Sequence, residues 1–180
     1  MTRKYVIDAV DKNLHASFSN AYEPILTVQS GDSVQCSTID IGWGNNDKDG
    51  GRHEYSSREK EQAWGHPIIG PIGIEQTKPG LTLEVKINDI VPSWYGWNCA
   101  GGKWNWHNDQ LGLVNAKQIK LDWVLDSSKM IASTSIEKQT FTVLFRPFMG
   151  VKRNAPKEAG VHSTIPPRYC GGNIDCKELV

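Results

Sequence analysis

Leu81-Thr-Leu-Glu-Val-Lys-Ile87 is the segment whose pattern decides the fold class. Apolar side chains occupy its odd positions and polar side chains its even positions. Successive side chains of a β-strand point to opposite faces of the sheet, so this alternation is typical of a strand with one buried and one exposed face. We therefore expect residues 81–87 to form a half-buried antiparallel strand.

Strand patterns also dominate the rest of the chain. Runs rich in strand-forming residues occupy positions 5–10, 25–28, 33–39, 119–125 and 139–145. Turn-forming residues lie between them, as at Gly31. No window has a sustained helical period, and only residues 56–64 suit one short turn of helix. The pattern predicts an all-β protein with few short helices, built as a sandwich or a barrel.

The amino-acid composition disfavours some classes of binding partner. The 180 residues include 20 Lys and Arg against 20 Asp and Glu, without a run of like charge, which disfavours binding to nucleic acid or to an anionic membrane surface. No apolar run approaches the ~20 residues of a membrane span, and the first residues do not resemble a signal peptide. The four cysteines form no CxxC pair, so we expect reduced thiols and a cytoplasmic protein.

The segment 160–180 is too broken by Pro and Gly to be a regular element. Adjacent prolines at 166–167 fix the backbone, whereas adjacent glycines at 171–172 permit conformations closed to other residues. A segment of this kind is suited to shaping a site. It presents three candidate polar groups, His162, Asn173 and Asp175.

Two further positions combine a functional interpretation with a structural one. Asp40 ends a predicted strand beside a Gly-rich loop, where a carboxylate serves either as a metal or catalytic group or as a turn initiator. Four tryptophans fall in the predicted loop 92–110, which either covers a cleft, with Trp106 at the substrate, or packs onto the body of the protein. The five histidines contain no HxH or HExxH pattern, so each has a structural role as its alternative.

The sequence resembles the acetamidase/formamidase family over nearly its whole length, apart from the Trp-rich loop. The matching segments are 28–34 with Asp40, 66–75, 78–80 with the strand that follows to Asp89, 146–151, and His162-Ser-Thr-Ile-Pro-Pro-Arg-Tyr-Cys-Gly-Gly-Asn-Ile-Asp-Cys-Lys-Glu-Leu-Val180. The last segment is long and specific, and it carries most of the resemblance.

The resemblance implies a jelly-roll-like β-sandwich over residues 1–145 and a site-shaping tail, 146–180, that begins a second small β unit. It also implies hydrolysis of a small aliphatic amide, of the formamide or acetamide type, to a carboxylate and ammonia by water activated on a divalent metal, expected to be zinc. The roles implied are metal binding by Asp40 and Asp175, catalysis by Asp175, His162 and Asn173, and oxyanion binding by the amides of Gly171 and Gly172.

Two departures from the family keep a second interpretation open. Relatives continue beyond the position of Val180 into a segment rich in His and Asp that this sequence does not contain, and Lys152 and Arg153 stand where small apolar residues are expected. The alternative is a truncated, catalytically inactive β-domain that serves as a binding or assembly module. Because Leu179 and Val180 resemble the start of a strand without partners, we also expect a homo-oligomer or a complementing chain.

Overall fold

The structure is a computed structural model that describes residues 2–60 and 65–178. The chain forms two compact units, the first made of Met1–Lys86 with Phe148–Val180 and the second of Ile87–Pro147. This grouping differs from the predicted division at residue 145, because the last part of the chain returns to the first unit through strand pairing. No helix among the described residues is long and apolar enough to cross a membrane.

The predicted all-β class with few short helices is confirmed. In chain order, the described elements are β1 (Lys4–Ile7), a 3-10 turn (Asp11–Asn13), β2 (Leu14–His15), β3 (Ser17–Phe18), β4 (Leu26–Val28), β5 (Ser33–Cys36), β6 (Gly44–Asn46), β7 (Arg52–Glu54), β8 (Ile68–Ile69), β9 (Ile72–Ile74), β10 (Tyr95–Ala100), α1 (Trp106–Gln110), β11 (Ile119–Asp126), β12 (Ile131–Ile136), β13 (Gln139–Leu144), β14 (Val151–Arg153), β15 (His162–Ser163) and β16 (Gly171–Asn173).

The first unit is held together by short ladders between distant parts of the chain. Its described strands pair two by two: β1–β5 and β4–β9 are parallel, and β2–β8, β3–β15, β6–β7 and β14–β16 are antiparallel. The centre of the unit lies at β2 and β3, where Leu14, Ala16 and Phe18 are buried. Thr164, which follows β15, is fully buried beside them. The tail therefore completes the core of the first unit.

Gly65 marks a close backbone approach in this core. A Cβ atom at this position would lie 2.0 Å from Oγ1 of Thr164 and 2.5 Å from the carbonyl oxygen of Ala16. Thr164 also donates a hydrogen bond from Oγ1 to the carbonyl oxygen of His66. Only a glycine leaves room for the tail at this point.

The second unit is a four-stranded antiparallel meander in the order β10-β11-β12-β13. Asp126 begins the turn between β11 and β12, where its Oδ1 accepts hydrogen bonds from the hydroxyl and amide of Ser128 and from the amide of Lys129. The Ser128 hydroxyl, followed by Lys129, lowers the pKa of the Asp126 carboxyl to about 2. The turn is thus built around an ionised carboxylate.

The sequence-based prediction of a strand at residues 81–87 is wrong for the chain by itself. These residues lie in no ladder, and Leu81, Leu83 and Val85 are exposed. Alternation specifies which side chains share a face, but a strand also needs a hydrogen-bonding partner, and none of the described segments forms a ladder with this one.

The remaining expectations about local structure concern the predicted loop, a helical turn and the end of the chain. The predicted loop 92–110 contains β10 and α1, because cross-strand pairing with β11 and an Asn105 N-cap organise residues that lack a clear period. The predicted helical turn at 56–64 lies partly outside the described residues, and the predicted strand start at Leu179 and Val180 lies wholly outside them.

Gly65→Ala is expected to lower the free energy of unfolding by about 2 kcal/mol, because the added methyl group overlaps Thr164 and Ala16. Gly96→Ala in β10 is the matched control, since its Cβ would lie 3.5 Å from Leu125, an ordinary contact. The control is expected to change stability by no more than about 0.5 kcal/mol. Urea unfolding of both variants measures the difference, and equal stabilities would show that the Gly65 contact has room to relax.

Ser128→Ala is expected to raise the pKa of Asp126 from about 2 towards its ordinary value of 3.8, because the largest stabilising hydrogen bond is lost. The folded-state pKa is lower than the unfolded one, so this turn is stabilised above the unfolded pKa and loses that contribution as the pH falls towards the folded value. Titration of the Asp126 carboxyl carbon by NMR measures the shift. Ser127→Ala is the control and should leave the titration unchanged.

Candidate active site

Asp175 and Asn173 lie together at the end of the tail hairpin. In this hairpin β14 pairs with β16, so that Asn173 stands opposite Val151. Asp175 has a φ of +50°, a left-handed conformation that costs a non-glycine residue about 1–3 kcal/mol and is concentrated at functional sites. Its carboxylate lies against Gly150, where a Cβ would be only 2.6 Å from Oδ1 of Asp175. The hairpin therefore holds this carboxylate in one place at an energetic cost.

The two glycines predicted to bind an oxyanion belong to the same hairpin. Gly171 has a φ of +105°, and a Cβ there would lie 2.5 Å from the carbonyl oxygen of Lys152. Its amide donates to the carbonyl oxygen of Arg168 at 3.1 Å. Gly172 stands opposite Lys152 in the ladder, with a φ of +130°. The glycines allow the strands to approach closely, and an oxyanion role for the Gly171 amide requires its bond to Arg168 to open.

His162 lies in a different ladder of the same unit. It stands opposite Phe18 in the β3–β15 pair, and its Nε2 is 3.2 Å from the carbonyl oxygen of Glu158. The carboxylate of Glu158 accepts a hydrogen bond from the hydroxyl of Tyr169 at 2.7 Å, which lowers the pKa of Glu158. His162 is thus part of a local network that ties residues 157–169 together.

The Asp40 carboxylate forms an ion pair with the guanidinium of Arg52. Its two carboxylate oxygens each accept a hydrogen bond of 2.9 Å from the guanidinium of Arg52, and Oδ1 also accepts from the amide of Gly42 at 2.7 Å. In a bidentate pair of this kind, two parallel N–H···O hydrogen bonds join the planar guanidinium to the two carboxylate oxygens. Asp40 therefore lies at the turn before β6 and is bonded through Arg52 to β7.

The zinc implied by the family resemblance does not fit the described residues. Among them, no group of three or more His, Cys, Asp and Glu side chains lies close enough to hold a metal ion. Of the two predicted ligands, Asp40 pairs with Arg52 and Asp175 packs against Gly150. Zinc sites need three or four converging donors. Metal binding stays a prediction, and no chemical step is derived from it.

The predicted substrate-binding residue Trp106 lies on α1 in the second unit. Its side chain is exposed, and its ring contacts His107 edge to face with centroids 5.1 Å apart. Asn105 caps the N-terminus of the helix, where its side chain accepts a hydrogen bond from the amide of Asn108. Asn108 is buried and bonds the backbone of Gly101, so the Trp-rich segment is a folded part of the second unit.

The sequence analysis did not identify a polar centre at His15. The His15 ring is 1% exposed, its Nδ1 lies 2.7 Å from Oε2 of Glu59, and the ring stacks on Tyr22 with centroids 4.4 Å apart. The hydroxyl of Tyr22 in turn bonds that of Ser17 at 2.7 Å. Within the described part of the chain, Nε2 of His15 is buried and makes no hydrogen bond. No signal in the sequence pointed to this centre, because the strands β2 and β3 around it have two residues each and show no period.

In this centre a carboxylate orients a buried imidazole. If Nδ1 donates its proton to the Glu59 carboxylate, Nε2 is the nitrogen that carries the lone pair. The side chain of Glu59 is 25% exposed, so the pair approaches solvent on the carboxylate side. The centre is also joined to the tail, because Ser17 stands opposite Ser163 in the β3–β15 ladder.

Comparison with known proteins tests the resemblance in fold. No family model and no curated protein matches the chain. Among solved structures, it is similar to a protein described as a predicted acetamidase/formamidase from Thermoanaerobacter tengcongensis, at 25% identity over 98% of this chain and 54% of that chain, with a TM-score of 0.71. The resemblance to the acetamidase/formamidase family is confirmed.

Two further solved structures are similar to this chain in fold. An acetamidase from Bacillus halodurans is 18% identical over 96% of this chain and 54% of that chain, with a TM-score of 0.62. A gamma lactamase from Delftia acidovorans is 18% identical over 97% of this chain and 56% of that chain, with a TM-score of 0.59. At this identity the likeness concerns the fold alone. The chain spans about half the length of the three solved structures.

The His15 ring is expected to be the Nδ1–H tautomer when neutral, because a carboxylate at Glu59 can only accept a hydrogen bond, which Nδ1–H donates. Long-range proton–nitrogen NMR spectra distinguish the two tautomers, and the exposed His53 provides a reference ring. In Glu59→Gln the carboxylate is lost and the preference for Nδ1–H should weaken. An Nε2–H tautomer in the unmodified protein would contradict the arrangement.

Proposed function

We propose that the chain takes part in hydrolysis of a small linear amide, of the formamide or acetamide type, to a carboxylate and ammonia. The observation that carries the proposal is the buried His15–Glu59 pair with an unpartnered Nε2 in a chain of acetamidase/formamidase fold. A buried imidazole oriented by a carboxylate is suited to moving a proton, which amide hydrolysis needs in both of its halves.

The proposed chemistry uses one water per amide. As the water oxygen bonds to the carbonyl carbon, Nε2 of His15 takes a proton from the water. The resulting imidazolium, stabilised by the Glu59 carboxylate, gives a proton to the nitrogen of the tetrahedral adduct. The carbon–nitrogen bond then breaks, ammonia leaves, and the carboxylic acid loses its proton to solvent.

The tail residues keep their predicted roles within this proposal. The strained Asp175 carboxylate, Asn173 and His162 are polar groups of the same unit as His15, and the Gly171 amide is the oxyanion donor if its bond to Arg168 opens. Trp106, in the second unit, stays a predicted substrate contact. The β3–β15 ladder supports a link between the two sets, since it joins the strand after His15 to the strand that begins the tail motif.

His15→Asn is expected to lower kcat/KM for ammonia release from formamide or acetamide by about 10²-fold or more, because it removes Nε2. The asparagine amide retains a donor for Glu59, so the core bond can be kept. The matched control is His53→Asn, which changes an exposed histidine and should leave the rate unaltered. Circular dichroism and thermal midpoints verify folding, and a folded His15→Asn variant with full activity would exclude His15 from the reaction.

The ammonia-release assay with formamide and acetamide, run with and without added zinc, tests whether this chain hydrolyses a small linear amide. A folded wild-type chain that releases no ammonia from either amide under saturating zinc contradicts hydrolysis by this chain. If calorimetry then detects amide binding without turnover, the alternative of a catalytically inactive binding module replaces the proposal.

A further inference from the structure

Arg153, the last residue of β14, carries a positive charge without an acidic partner in the described part of the chain. Its Nε donates a hydrogen bond to Sγ of Cys170 at 2.9 Å, and its guanidinium carbon lies 4.8 Å from the centre of the Phe18 ring. Its Nη1 is buried and makes no hydrogen bond to a described residue. None of the ion pairs among these residues includes Arg153. The guanidinium therefore has an unused donor and no counter-charge.

This state of the guanidinium is unfavourable unless something else binds to it. An arginine side chain stays protonated, so it cannot relieve burial by losing its charge. A buried N–H group without an acceptor has given up its hydrogen bond to water without replacement, and a buried charge without a counter-ion costs more. The Phe18 ring offsets part of this cost, because a cation is attracted to the face of an aromatic ring. A small anion would supply both the missing acceptor and the missing charge.

The neighbours of Arg153 leave the end of its side chain for a ligand. Nε is used by Cys170, and one face of the planar group lies against Phe18, so the remaining donors are those of Nη1 and Nη2. Gly171, which stands opposite Arg153 in the β14–β16 ladder, has no side chain that could cover the guanidinium. Arg153 is only partly buried, so a small ion can approach it from solvent.

The geometry of the two terminal nitrogens selects a carboxylate. Their N–H groups lie in one plane and match the two oxygens of a carboxylate, which accepts both hydrogen bonds at once. The single negative charge of a carboxylate balances the single positive charge of Arg153. A chloride ion is spherical and lacks this two-point match, and a neutral amide of the same shape lacks the charge.

We propose that Arg153 binds a small carboxylate of the formate or acetate type, with Nη1 and Nη2 donating to its two oxygens beside the Phe18 ring. The site shares no residue with the His15–Glu59 pair and does not depend on the proposed hydrolysis. Because that reaction would release a carboxylate, its product belongs to the ligand class of this site.

NMR of the Arg153 side chain tests the site directly. Sodium acetate and sodium chloride are added in separate titrations to equal ionic strength, at a mildly acidic pH that slows exchange of the arginine N–H protons. The Nε–H resonance of Arg153 is expected to shift with acetate and to saturate with a dissociation constant on the order of 1 mM. A resonance that acetate leaves unchanged, or that chloride shifts as much as acetate does, overturns the proposal.

Substitution of Arg153 separates the contribution of charge from that of geometry. Arg153→Lys keeps the charge but loses the planar pair of donors, and it should weaken acetate binding by about tenfold. Arg153→Met keeps an apolar stem beside Phe18 and should not bind acetate. The matched control is Arg146→Met, which changes an exposed arginine and should retain the wild-type dissociation constant.

Thermal midpoints with acetate or chloride at equal ionic strength measure binding in all of these variants, because a ligand of the folded state raises the midpoint. Acetate should raise the midpoint of the wild type and of Arg146→Met but not that of Arg153→Met. A folded Arg153→Met variant that acetate stabilises as much as the wild type contradicts binding at this side chain.

Two further titrations separate this site from the proposed hydrolysis. The folded His15→Asn variant should bind acetate with the wild-type dissociation constant, because it leaves Arg153 and Phe18 unchanged. In the same variant acetamide, which has the shape of acetate without its charge, should leave the Arg153 resonance unchanged. An acetate site that is lost in His15→Asn, or that acetamide occupies equally well, contradicts a charge-dependent site at Arg153.

Discussion

The antiparallel pairing of β3 with β15 is the contact on which the rest of the first unit depends. It returns the tail to residues 17–18 and places Thr164 in the core, where the absence of a side chain at Gly65 leaves room for it. The ladder contains only two residue pairs, so it relies on packing more than on hydrogen bonds. It joins the strand after His15 to the segment that contains the family motif.

The tail could be predicted from the sequence, whereas the buried histidine could not. The Gly171-Gly172 pair and the long tail motif could be identified from the sequence, because both are local features of the chain. His15 was not, because β2 and β3 have two residues each and show no period. The partner of Asp40 was equally hidden, since nothing in the spacing indicates that Arg52, across a hairpin, forms a bidentate pair with it.

The prediction at residues 81–87 failed for an instructive physical reason. The alternation of Leu81, Leu83 and Val85 correctly identified side chains that share a face, but a face is stabilised only when something covers it. Sequence pattern records the need for a partner without identifying the partner.

The proposed hydrolysis requires Nε2 of His15 to exchange protons with the attacking water and the amide nitrogen while Glu59 holds Nδ1. The most direct measurement is the nitrogen NMR spectrum of the His15 ring during titration with acetamide. We expect the Nε2 resonance to shift on amide binding while the proton stays on Nδ1. An Nε2 resonance that stays unchanged at saturating acetamide would contradict a role for His15 in the reaction.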